Sequence, residues 1–457
     1  MAGIILTVDI GTSSLKAAFI DLDGRLLAFS RQAYRPDAGR EPGAGDWELA
    51  FARALEGLYA RAPDCVPCGV CVSGNGPTLV PVTGAGEPLQ PLYWHDGRTA
   101  LPAEGPPPRS FFLPRAAWLK KNAPAEYEKT SLFFSPHEWL ALRLGAEALT
   151  VLPSAAYEPY YWDDEQCRYF DLDREKFPPF VSMGSVMGSV SAKAASFFGP
   201  SRGGRLKSGI PIVAAGPDFI TALIGTGTLR PGDVCDRAGS SEGINVCAPY
   251  PVEGEGLRAL PHAREGLWNI GSLIPSSGRL FERYRAFTGQ EALSYEEHLA
   301  ALIPQTARVD VFRRLQAFPL SGDAFPCPPL TSSPLDLGRA VLCAIGFAVR
   351  GAAEALGKHG FAVREMRVSG GQAKNPLWNQ LKADITGITV MVPEIPDGEL
   401  AGNAVLSATA LGVARAFEEA ADKMVRLREI YKPRTQTASF WDEQYWLHRS
   451  QKRESAR

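Results

Sequence analysis

Short apolar runs separated by turn residues dominate the first part of the chain. Three of these runs predict the strands of a meander: 4–8, 15–20 and 25–31. Asp-Leu-Asp-Gly at 21–24 lies between the last two runs, and Asp-Gly between apolar runs is a strong hairpin signal. Apolar residues at helical spacing predict a helix over 47–59, and 66–72 predicts a fourth strand. Residues 113–144 predict two helices.

A similar pattern of strand, small-residue turn and strand recurs near the middle of the chain. Residues 232–236 and 244–247 predict two strands around a turn at 238–243. This arrangement echoes residues 8–18, although the two segments share no residue-level repeat. We therefore predict an architectural duplication.

Helix and strand signals alternate from Ser333 onward. Ser333 suits a helix N-cap, and Pro334 and Asp336 suit the first turn of the helix that follows. The later predicted elements alternate in type: strand 365–368, helix 375–384, strand 388–392 and helix 401–414. Such alternation is typical of α/β architecture.

The composition is that of a globular enzyme-sized chain. Its 457 residues suggest two or three domains or one bilobal enzyme. Of these residues 45% are hydrophobic and 21% are charged, which is ordinary for a globular protein. The 48 Lys and Arg against 50 Asp and Glu give a net charge of −2, which argues against nucleic-acid or anionic-membrane partners. No apolar run in the sequence approaches the roughly 18–20 residues of a membrane span. The N-terminus lacks the basic start of a signal peptide.

The 8 cysteines are scattered, as expected for a reducing cytoplasm. Cys65, Cys68 and Cys71 are the one cluster. Zinc usually takes about four ligands from two such groups, and the sequence has no second group. Structural thiols are therefore favoured over a metal site, and we expect a cytoplasmic protein.

The first candidate motif reads Asp-Ile-Gly-Thr-Ser-Ser-Leu-Lys at 9–16. Asp9 offers a carboxylate, Gly11 allows a tight turn and Lys16 offers a cation. Hydroxyls are supplied by Thr12, Ser13 and Ser14. A turn of this kind can surround phosphate oxygens, and a carboxylate can hold Mg²⁺ directly or through water. The alternative interpretation is an ordinary polar hairpin turn. The segment is not a Walker loop.

Three further motifs are weak when taken singly. Asp218 follows Gly-Pro at the end of an apolar run, where one carboxylate could act as base in phosphoryl transfer or serve only as a turn residue. A small-residue turn could cradle phosphates: Gly239, Ser240 and Ser241. The segment that opens the helix near 376 could approach a ring or a phosphate through its backbone: Gly370, Gly371, Gln372 and Asn375.

In their order along the chain, these segments resemble the FGGY family of carbohydrate kinases, which includes xylulose, ribulose, gluconate and glycerol kinases. Residues 9–16 resemble the family's first phosphate motif, and 239–241 its second. Residues 93–99 resemble its W-x-D-x-R segment near the sugar, and 113–120 its P-K-x-x-W-L segment. Asp218 lies where the base is expected, and 369–384 with 401–404 resembles the adenosine motif.

The resemblance implies an α/β fold of two actin-like, ribonuclease-H-like lobes with the active site in a cleft between them. We expect an N-terminal lobe over 1–228 and a C-terminal, nucleotide-binding lobe over 229–457. It also implies Mg²⁺ with ATP as phosphoryl donor, Asp218 as catalytic base and Asp9 as the metal-organising residue. The remaining motif residues would bind ATP.

The segment expected to contact the sugar departs from the family's usual Gln-Met-His-Gly type. Here it reads Asn75, Gly76, Pro77 and Thr78. Trp94 and Asp96 are the other predicted sugar contacts. The alternative interpretation is that Trp94 is a core residue and that Asp96 belongs to a turn. A small sugar or polyol, with a ketose such as xylulose favoured, is the expected substrate.

Two other hypotheses stay open at this point. The altered 75–78 segment is compatible with a catalytically inactive sugar- or nucleotide-binding regulator of the same fold. An actin- or chaperone-like ATPase would share the lobes but would not account for the sugar segments or Asp218. Besides the sugar and ATP, a second copy in a homodimer is the one further partner considered, with no nucleic acid and no membrane.

Overall fold

The structure, a computed structural model, describes residues 3–34, 40–100, 109–199, 205–303 and 333–455, with side chains up to 450. The chain divides into two compact units. Unit 1 comprises Met1–Leu229, Pro261–Gly266 and Gly398–Arg426, and unit 2 comprises Arg230–Leu260, Leu267–Asp397 and Leu427–Arg457. The division at 229/230 lies one residue from the boundary expected between lobes, but two later segments return to unit 1.

Unit 1 contains a six-stranded sheet of order β3-β2-β1-β4-β10-β9. β1, β2 and β3 form an antiparallel meander, and β4 and β10 add in parallel to β1. The strands are β1 Ile4–Ile10, β2 Ser14–Asp21, β3 Leu26–Ala33, β4 Pro67–Gly74, β9 Val186–Ser189 and β10 Pro211–Pro217. These bounds confirm the predicted meander and the predicted fourth strand. As expected for an apolar run, β1 is buried throughout after its first residue.

Two small strand pairs accompany the main sheet of unit 1. They are β5 Val80–Thr83 with β6 Thr130–Phe134, and β7 Thr150–Leu152 with β8 Phe180–Ser182. The helices of this unit up to residue 225 are α1 Ala44–Arg61, α2 Leu113–Asn122, α3 Pro124–Lys129, α4 Pro136–Leu144, α5 Asp164–Tyr169, α6 Ala192–Phe197 and α7 Asp218–Gly225.

The prediction of two helices over 113–144 is wrong in one respect. The structure has three helices there, and strand β6 separates the second from the third. Pro124 and Pro136 stand at the first positions of α3 and α4, so each begins a new helix. The five residues of β6 form too short a run for periodicity to distinguish a strand from a helix.

Unit 2 contains a seven-stranded sheet of order β13-β14-β12-β11-β15-β16-β17. β11 pairs antiparallel with β12, β12 with β14, and β15 and β16 add in parallel. The strands are β11 Val234–Ala238, β12 Glu242–Ala248, β13 Leu257–Pro261, β14 Trp268–Ile274, β15 Glu365–Ser369, β16 Thr389–Pro393 and β17 Leu427–Tyr431. The order β14-β12-β11-β15-β16 repeats the pattern of β3-β2-β1-β4-β10, which confirms the predicted duplication.

Seven more α-helices lie in the described residues after 274; those at 334–358, 376–386 and 398–410 confirm the predicted alternation, and the other four were not predicted. They are α8 Ser277–Phe287, α9 Tyr295–Leu302, α10 Pro334–Lys358, α11 Pro376–Thr386, α12 Gly398–Ala410, α13 Phe417–Met424 and α14 Ala438–Ser455. Ser333 caps α10, with its hydroxyl accepting from the Asp336 amide at 3.1 Å, and Asn375 caps α11 in the same way through Trp378.

Contrary to the expectation from the sequence, helix α10 is long and apolar enough to cross a membrane, judged by length and composition alone. Its most apolar window is 61% buried inside the protein. Residues such as Val341, Ile345 and Leu356 lie in the core cluster of unit 2. A core helix passes the same test of length and composition, and α10 packs as one.

Helix α12 belongs to unit 1 because it packs very closely on α7. A Cβ atom on Gly225 would lie 1.9 Å from the Gly398 carbonyl oxygen, and one on Gly402 would lie 2.0 Å from that of Thr221. Only glycine permits this approach of two helix backbones. The contact explains why a late segment of the chain completes the N-terminal sheet layer.

Candidate active site

The first turn of unit 1 joins β1 to β2 through residues 11–13. The Gly11 amide donates to the Ser14 carbonyl at 3.1 Å, and a Cβ on Gly11 would lie 2.9 Å from that oxygen. The turn therefore needs glycine at its first position. Asp9 and Lys16 face each other as register partners on the two strands.

Three charged side chains meet beside this turn. Lys16 Nζ lies 4.0 Å from Asp9 Oδ2 and 3.6 Å from Glu399 Oε2. The lysine keeps 20% of its side chain exposed, whereas Asp9 keeps 3%. Burial is the main cause that raises the pKa of Asp9 to about 8, and the charges of Glu399 and Asp218 add to it against the opposing effect of Lys16. The centre has an excess of negative charge.

Asp9 is held from behind by two buried polar residues. The Ser73 hydroxyl donates to Asp9 Oδ1 at 3.0 Å. Asn403 Nδ2 in turn donates to Ser73 Oγ at 3.1 Å and to the Val8 carbonyl at 2.8 Å. Sequence analysis missed Glu399, Ser73 and Asn403 as parts of this site. The available signal was a lone amide in the apolar helix α12, which needs a partner when buried.

Asp218 is the first residue of α7 and directly follows β10. Its side chain is half-buried, and the Phe219 amide donates to Oδ1 at 2.7 Å. The negative charge of Asp218 contributes to the raised pKa of Asp9, so the two carboxylates influence each other electrostatically. The structure thus brings the predicted base and the predicted metal-organising residue into one charged centre of unit 1.

A series of hydrogen bonds links the first turn to the predicted sugar segments. Asn75 Nδ2 donates to the carbonyls of Ile10 and Gly11 at 2.9 and 3.3 Å, and Thr78 donates to Asn75 Oδ1 at 2.5 Å. The Trp94 amide donates to Thr78 Oγ1, and its indole Nε1 donates to Thr12 Oγ1, both at 3.2 Å. Distant parts of the sequence therefore form one closed framework around the turn.

This framework uses the polar groups of two predicted sugar contacts. Asn75 is 1% exposed and Thr78 is fully buried, whereas Trp94 is 38% exposed. Asn75 and Thr78 therefore support the first turn and the backbone of Trp94. Gly76 and Pro77 lie between them in the chain. Direct contact of Asn75 or Thr78 with a substrate stays a prediction from the sequence.

Asp96 and Arg98 form a half-exposed ion pair beside Trp94. Arg98 Nε donates to Asp96 Oδ2 at 2.6 Å, and its guanidinium lies 5.1 Å from the Trp118 ring centre. Burial opposes ionisation of Asp96, but the hydrogen bonds and charge of Arg98 outweigh it and lower the pKa of Asp96. Asp96 is therefore an ionised acceptor at neutral pH.

Arg115 is a supporting residue that the sequence analysis did not single out. Its guanidinium donates to the carbonyls of Tyr93, Trp94 and Phe111 at 3.1, 2.6 and 2.6 Å. The side chain is only 8% exposed. Arg115 thus fixes the backbone that carries Trp94, and its position in the P-K-x-x-W-L-like segment was the available signal.

The second turn and the adenosine-like segment lie next to each other in unit 2. The turn of Gly239, Ser240 and Ser241 joins β11 to β12. Gly370 adopts φ +96°, and a Cβ there would lie 2.5 Å from the Ala238 carbonyl, so the two segments approach through glycine. Gln372 Nε2 donates to the Gly239 carbonyl at 3.3 Å. Gly371 is exposed and Asn375 is half-buried.

A buried group of charges lies beneath the second turn. Lys382 Nζ donates to Asp236 Oδ2 at 2.5 Å and to Glu242 Oε1 at 2.6 Å, and all three side chains are fully buried. Burial and the charge of Glu242 raise the pKa of Asp236 well above its ordinary value. Despite burial, the two carboxylates raise the pKa of Lys382. Sequence patterns gave no indication of this group.

Within the part of the chain that the structure describes, no cluster of three or more His, Cys, Asp or Glu side chains has the arrangement of a metal site. A magnesium ion needs no such cluster, since it commonly takes one or two carboxylates together with water and substrate phosphates. The buried carboxylate of Asp9, beside a phosphate-sized turn, fits that donor set. Cys65, Cys68 and Cys71 carry free thiols.

Comparisons with known proteins agree with this fold. Profiles of the FGGY family of carbohydrate kinases match residues 109–225 with the N-terminal domain and 319–411 with the C-terminal domain. An autoinducer-2 kinase of Salmonella paratyphi A is 24% identical, with 94% of this chain and 90% of that protein covered. A xylulose kinase of Staphylococcus epidermidis is 22% identical, with 97% and 95% covered.

A solved structure shows the same fold. The gluconate kinase of Lactobacillus acidophilus aligns with a TM-score of 0.79 at 17% identity, covering 98% of this chain and 97% of that one. The two α/β units are consistent with the predicted actin-like, ribonuclease-H-like fold class. The chain belongs to the FGGY family of carbohydrate kinases. It is an ATP-dependent kinase with an alcohol group of a sugar as acceptor.

Proposed function

We propose that the protein transfers the γ-phosphoryl group of Mg-ATP to a hydroxyl of a small sugar or polyol, with Asp218 as general base. The observation that carries this proposal is the charged centre of unit 1. There Asp9, Lys16 and Asp218 lie beside a tight turn and influence one another electrostatically. Phosphoryl transfer needs positioning, charge neutralisation and one base near the attacking hydroxyl, and this centre supplies each of them.

Asp218 would accept the proton of the attacking hydroxyl. Its half-exposed position at the start of α7 leaves the carboxylate accessible to a substrate. When Mg²⁺ is bound, it neutralises phosphate charge, and Asp9 is the residue that would hold it. Binding of the cation favours the ionised form of Asp9, which burial otherwise disfavours. Lys16, whose side chain is partly exposed, is the cation that would approach the transferred phosphoryl group.

We propose a phosphate-binding role for each of the two turns and a nucleoside-binding role for the adenosine-like segment. We assign the phosphates to the first turn with Gly11, Thr12, Ser13 and Ser14, and to the second with Gly239, Ser240 and Ser241. The nucleoside would bind at Gly370, Gly371 and Asn375. Backbone amides in such turns are suited to phosphate oxygens because they present several donors without side-chain rearrangement.

On the sugar side, Trp94 and Asp96 are the proposed direct contacts. Trp94 offers an exposed ring face, and ionised Asp96 accepts hydrogen bonds from hydroxyls. Asn75 and Thr78 are proposed to act by holding Trp94 in place. We favour a ketose such as xylulose or a related pentose or hexose. Autoinducer-2 enters as a second candidate because several relatives carry that name.

The test is a coupled ADP-release assay over ketoses, aldonates, polyols and autoinducer-2. Wild type is compared with Asp218→Ala and Asp218→Asn, and Asp64→Asn serves as control because Asp64 is exposed on a loop after α1. We expect sugar-dependent turnover that falls about 10³-fold in both Asp218 variants and stays unchanged in the control.

Other outcomes would identify the competing hypotheses. Tight sugar or nucleotide binding without turnover on any acceptor would show a catalytically inactive regulator. ATP hydrolysis that ignores the sugar would show an ATPase. Turnover that survives in Asp218→Asn would remove Asp218 from the role of base.

We also propose a cytoplasmic location, which the free thiols of Cys65, Cys68, Cys71, Cys167 and Cys343 support. A homodimer stays a prediction, to be measured by light scattering of the purified chain.

A further inference from the structure

We propose that Gln372 is a positioning residue whose side chain orients the second turn. Through this orientation it raises the protein's affinity for the phosphates of the nucleotide. This inference rests on the proposed use of ATP. It differs from the expectation drawn from the sequence, in which Gln372 lines the adenosine pocket.

The amide of Gln372 is occupied by protein groups. Nε2 donates to Ser277 Oγ at 2.6 Å and to the Gly239 carbonyl at 3.3 Å. Oε1 accepts from the Trp378 indole at 2.7 Å. Both amide protons are therefore used within unit 2. A side chain bound on both ends is fixed in orientation, which suits a support better than a ligand contact.

The support is anchored in the buried charges beneath the turn. Ser277 donates its own proton to Glu242 Oε2 at 2.6 Å, and Glu242 Oε1 accepts from Lys382. The hydroxyl of Ser277 is thereby directed toward Glu242 and presents a lone pair to Gln372. A continuous series of bonds runs from the buried ion group to the amide of Gln372, so the position of this amide is set by the core of unit 2.

The consequence for the turn follows from peptide geometry. In a trans peptide the N–H of one residue points opposite to the carbonyl of the residue before it. Gln372 holds the Gly239 carbonyl, and the Arg279 amide holds that of Ser240 at 3.0 Å. These two bonds fix the directions of the Ser240 and Ser241 amides. Amides with fixed directions are what a phosphate-binding turn requires.

Close packing leaves the turn little freedom on its other side. A Cβ on Gly278 would lie 2.3 Å from the Gly239 carbonyl oxygen, so the start of α8 rests directly against the turn. Gln372 and α8 therefore restrain the same carbonyl from different elements. Removing the Gln372 amide releases one of the two restraints without opening the fold.

The experiment measures direct binding of adenosine, ADP and ATP to the full chain by isothermal titration calorimetry. Gln372→Ala is expected to weaken ADP and ATP binding about tenfold, the loss expected from deleting a half-buried polar support. Adenosine binding should stay within twofold of wild type. Gln372→Glu keeps an acceptor for Trp378 but loses both donors, so it should behave as Gln372→Ala does.

Gln380→Ala is the matched control. Gln380 lies on α11 of the same unit, and its amide makes two comparable bonds, to Asp384 Oδ1 and the Lys432 carbonyl, each at 3.0 Å. It should leave the affinity for all three ligands unchanged. If Gln372→Ala fails to fold, Gln372→Glu carries the comparison alone.

The outcomes separate this inference from the proposed function. Equal losses for adenosine and ADP in the Gln372 variants, or no loss at all, would overturn the positioning role even if sugar phosphorylation is confirmed. A selective loss for ADP and ATP would support it even if no sugar on the panel is phosphorylated. Absence of nucleotide binding by the wild type would overturn both.

Discussion

Each of the two units holds one lysine between two carboxylates, and the two groups differ in nearly every other respect. In unit 1, Lys16 lies 4.0 and 3.6 Å from Asp9 and Glu399 and is partly exposed. In unit 2, Lys382 lies 2.5 and 2.6 Å from its carboxylates and is fully buried. The first group is loosely held and can exchange partners, whereas the second is closed. The comparison shows that spacing and burial, not residue types, separate a reactive centre from a structural one.

The duplication of topology makes the comparison direct. Each unit contains a strand, a turn and an antiparallel strand. In each, one carboxylate partner of the lysine lies on the first strand: Asp9 on β1 and Asp236 on β11. Asp236 is fully buried, and its Oδ2 accepts from Lys382, since an unpaired buried charge is very costly. Asp9 is also buried, but its lysine lies 4.0 Å away and is partly exposed.

Lys382→Met is the change with the largest expected effect on stability. It leaves the carboxylates of Asp236 and Glu242 buried without a cation, so the free energy of unfolding should fall by about 3–5 kcal/mol. Chemical denaturation measures this. Lys358→Met is the control, because its pair with Glu255 is exposed to solvent and should contribute little to stability. Equal effects of the two variants would contradict a structural role for Lys382.

Asp9→Asn sharpens the comparison through pH. The pKa of Asp9 is raised from 3.8 to about 8 in the folded protein, so the stability that its protonated form contributes is present below about pH 4 and lost as pH rises through about 8. Asn cannot ionise. The variant should therefore gain stability relative to wild type as pH rises from 4 to 8, by up to about 1.4 kcal/mol for each unit of pH.

The measurement is denaturant unfolding of both proteins at several pH values in that interval, without metal or nucleotide. A difference that does not change with pH would show that Asp9 ionises as an ordinary surface carboxylate.

Trp94→Phe is expected to have the smallest effect on folding. It removes the indole donor to Thr12 but keeps an aromatic ring, so the free energy of unfolding should change by less than about 1 kcal/mol. The KM for the sugar should rise several-fold while the KM for ATP stays constant. Steady-state kinetics with either substrate varied would show this, and an equal rise in both constants would remove Trp94 from the sugar side.

The sequence predicted most of the fold because apolar runs and caps decide local structure. The meander of β1 to β3, the cap at Ser333 and the helix start at Asn375 are local features, and each was recognisable. Strand β6 was missed because five residues are too few for a period. The return of α12 to unit 1 was also missed, since it depends on a close approach of Gly225 and Gly402 that no local pattern reveals.

The candidate site divides in the same way. Asp9, Lys16 and Asp218 stand in turn and strand-end motifs, so sequence order brought them to notice. Glu399 and Ser73 join them only through packing of α12 and β4 on β1. Gln372 was recognised by position, but the partners of its amide, Ser277 and Trp378, lie on elements whose arrangement the sequence does not state.

The most direct test of the account compares Lys16→Met with Lys382→Met in parallel, by kcat on the best acceptor and by the free energy of unfolding. The account predicts that Lys16→Met loses about a hundredfold or more in kcat and changes stability by less than about 1 kcal/mol. Lys382→Met should do the opposite, with its main loss in stability. Full activity of Lys16→Met, or equal destabilisation by both changes, would contradict the assignment of unit 1 as the reactive centre.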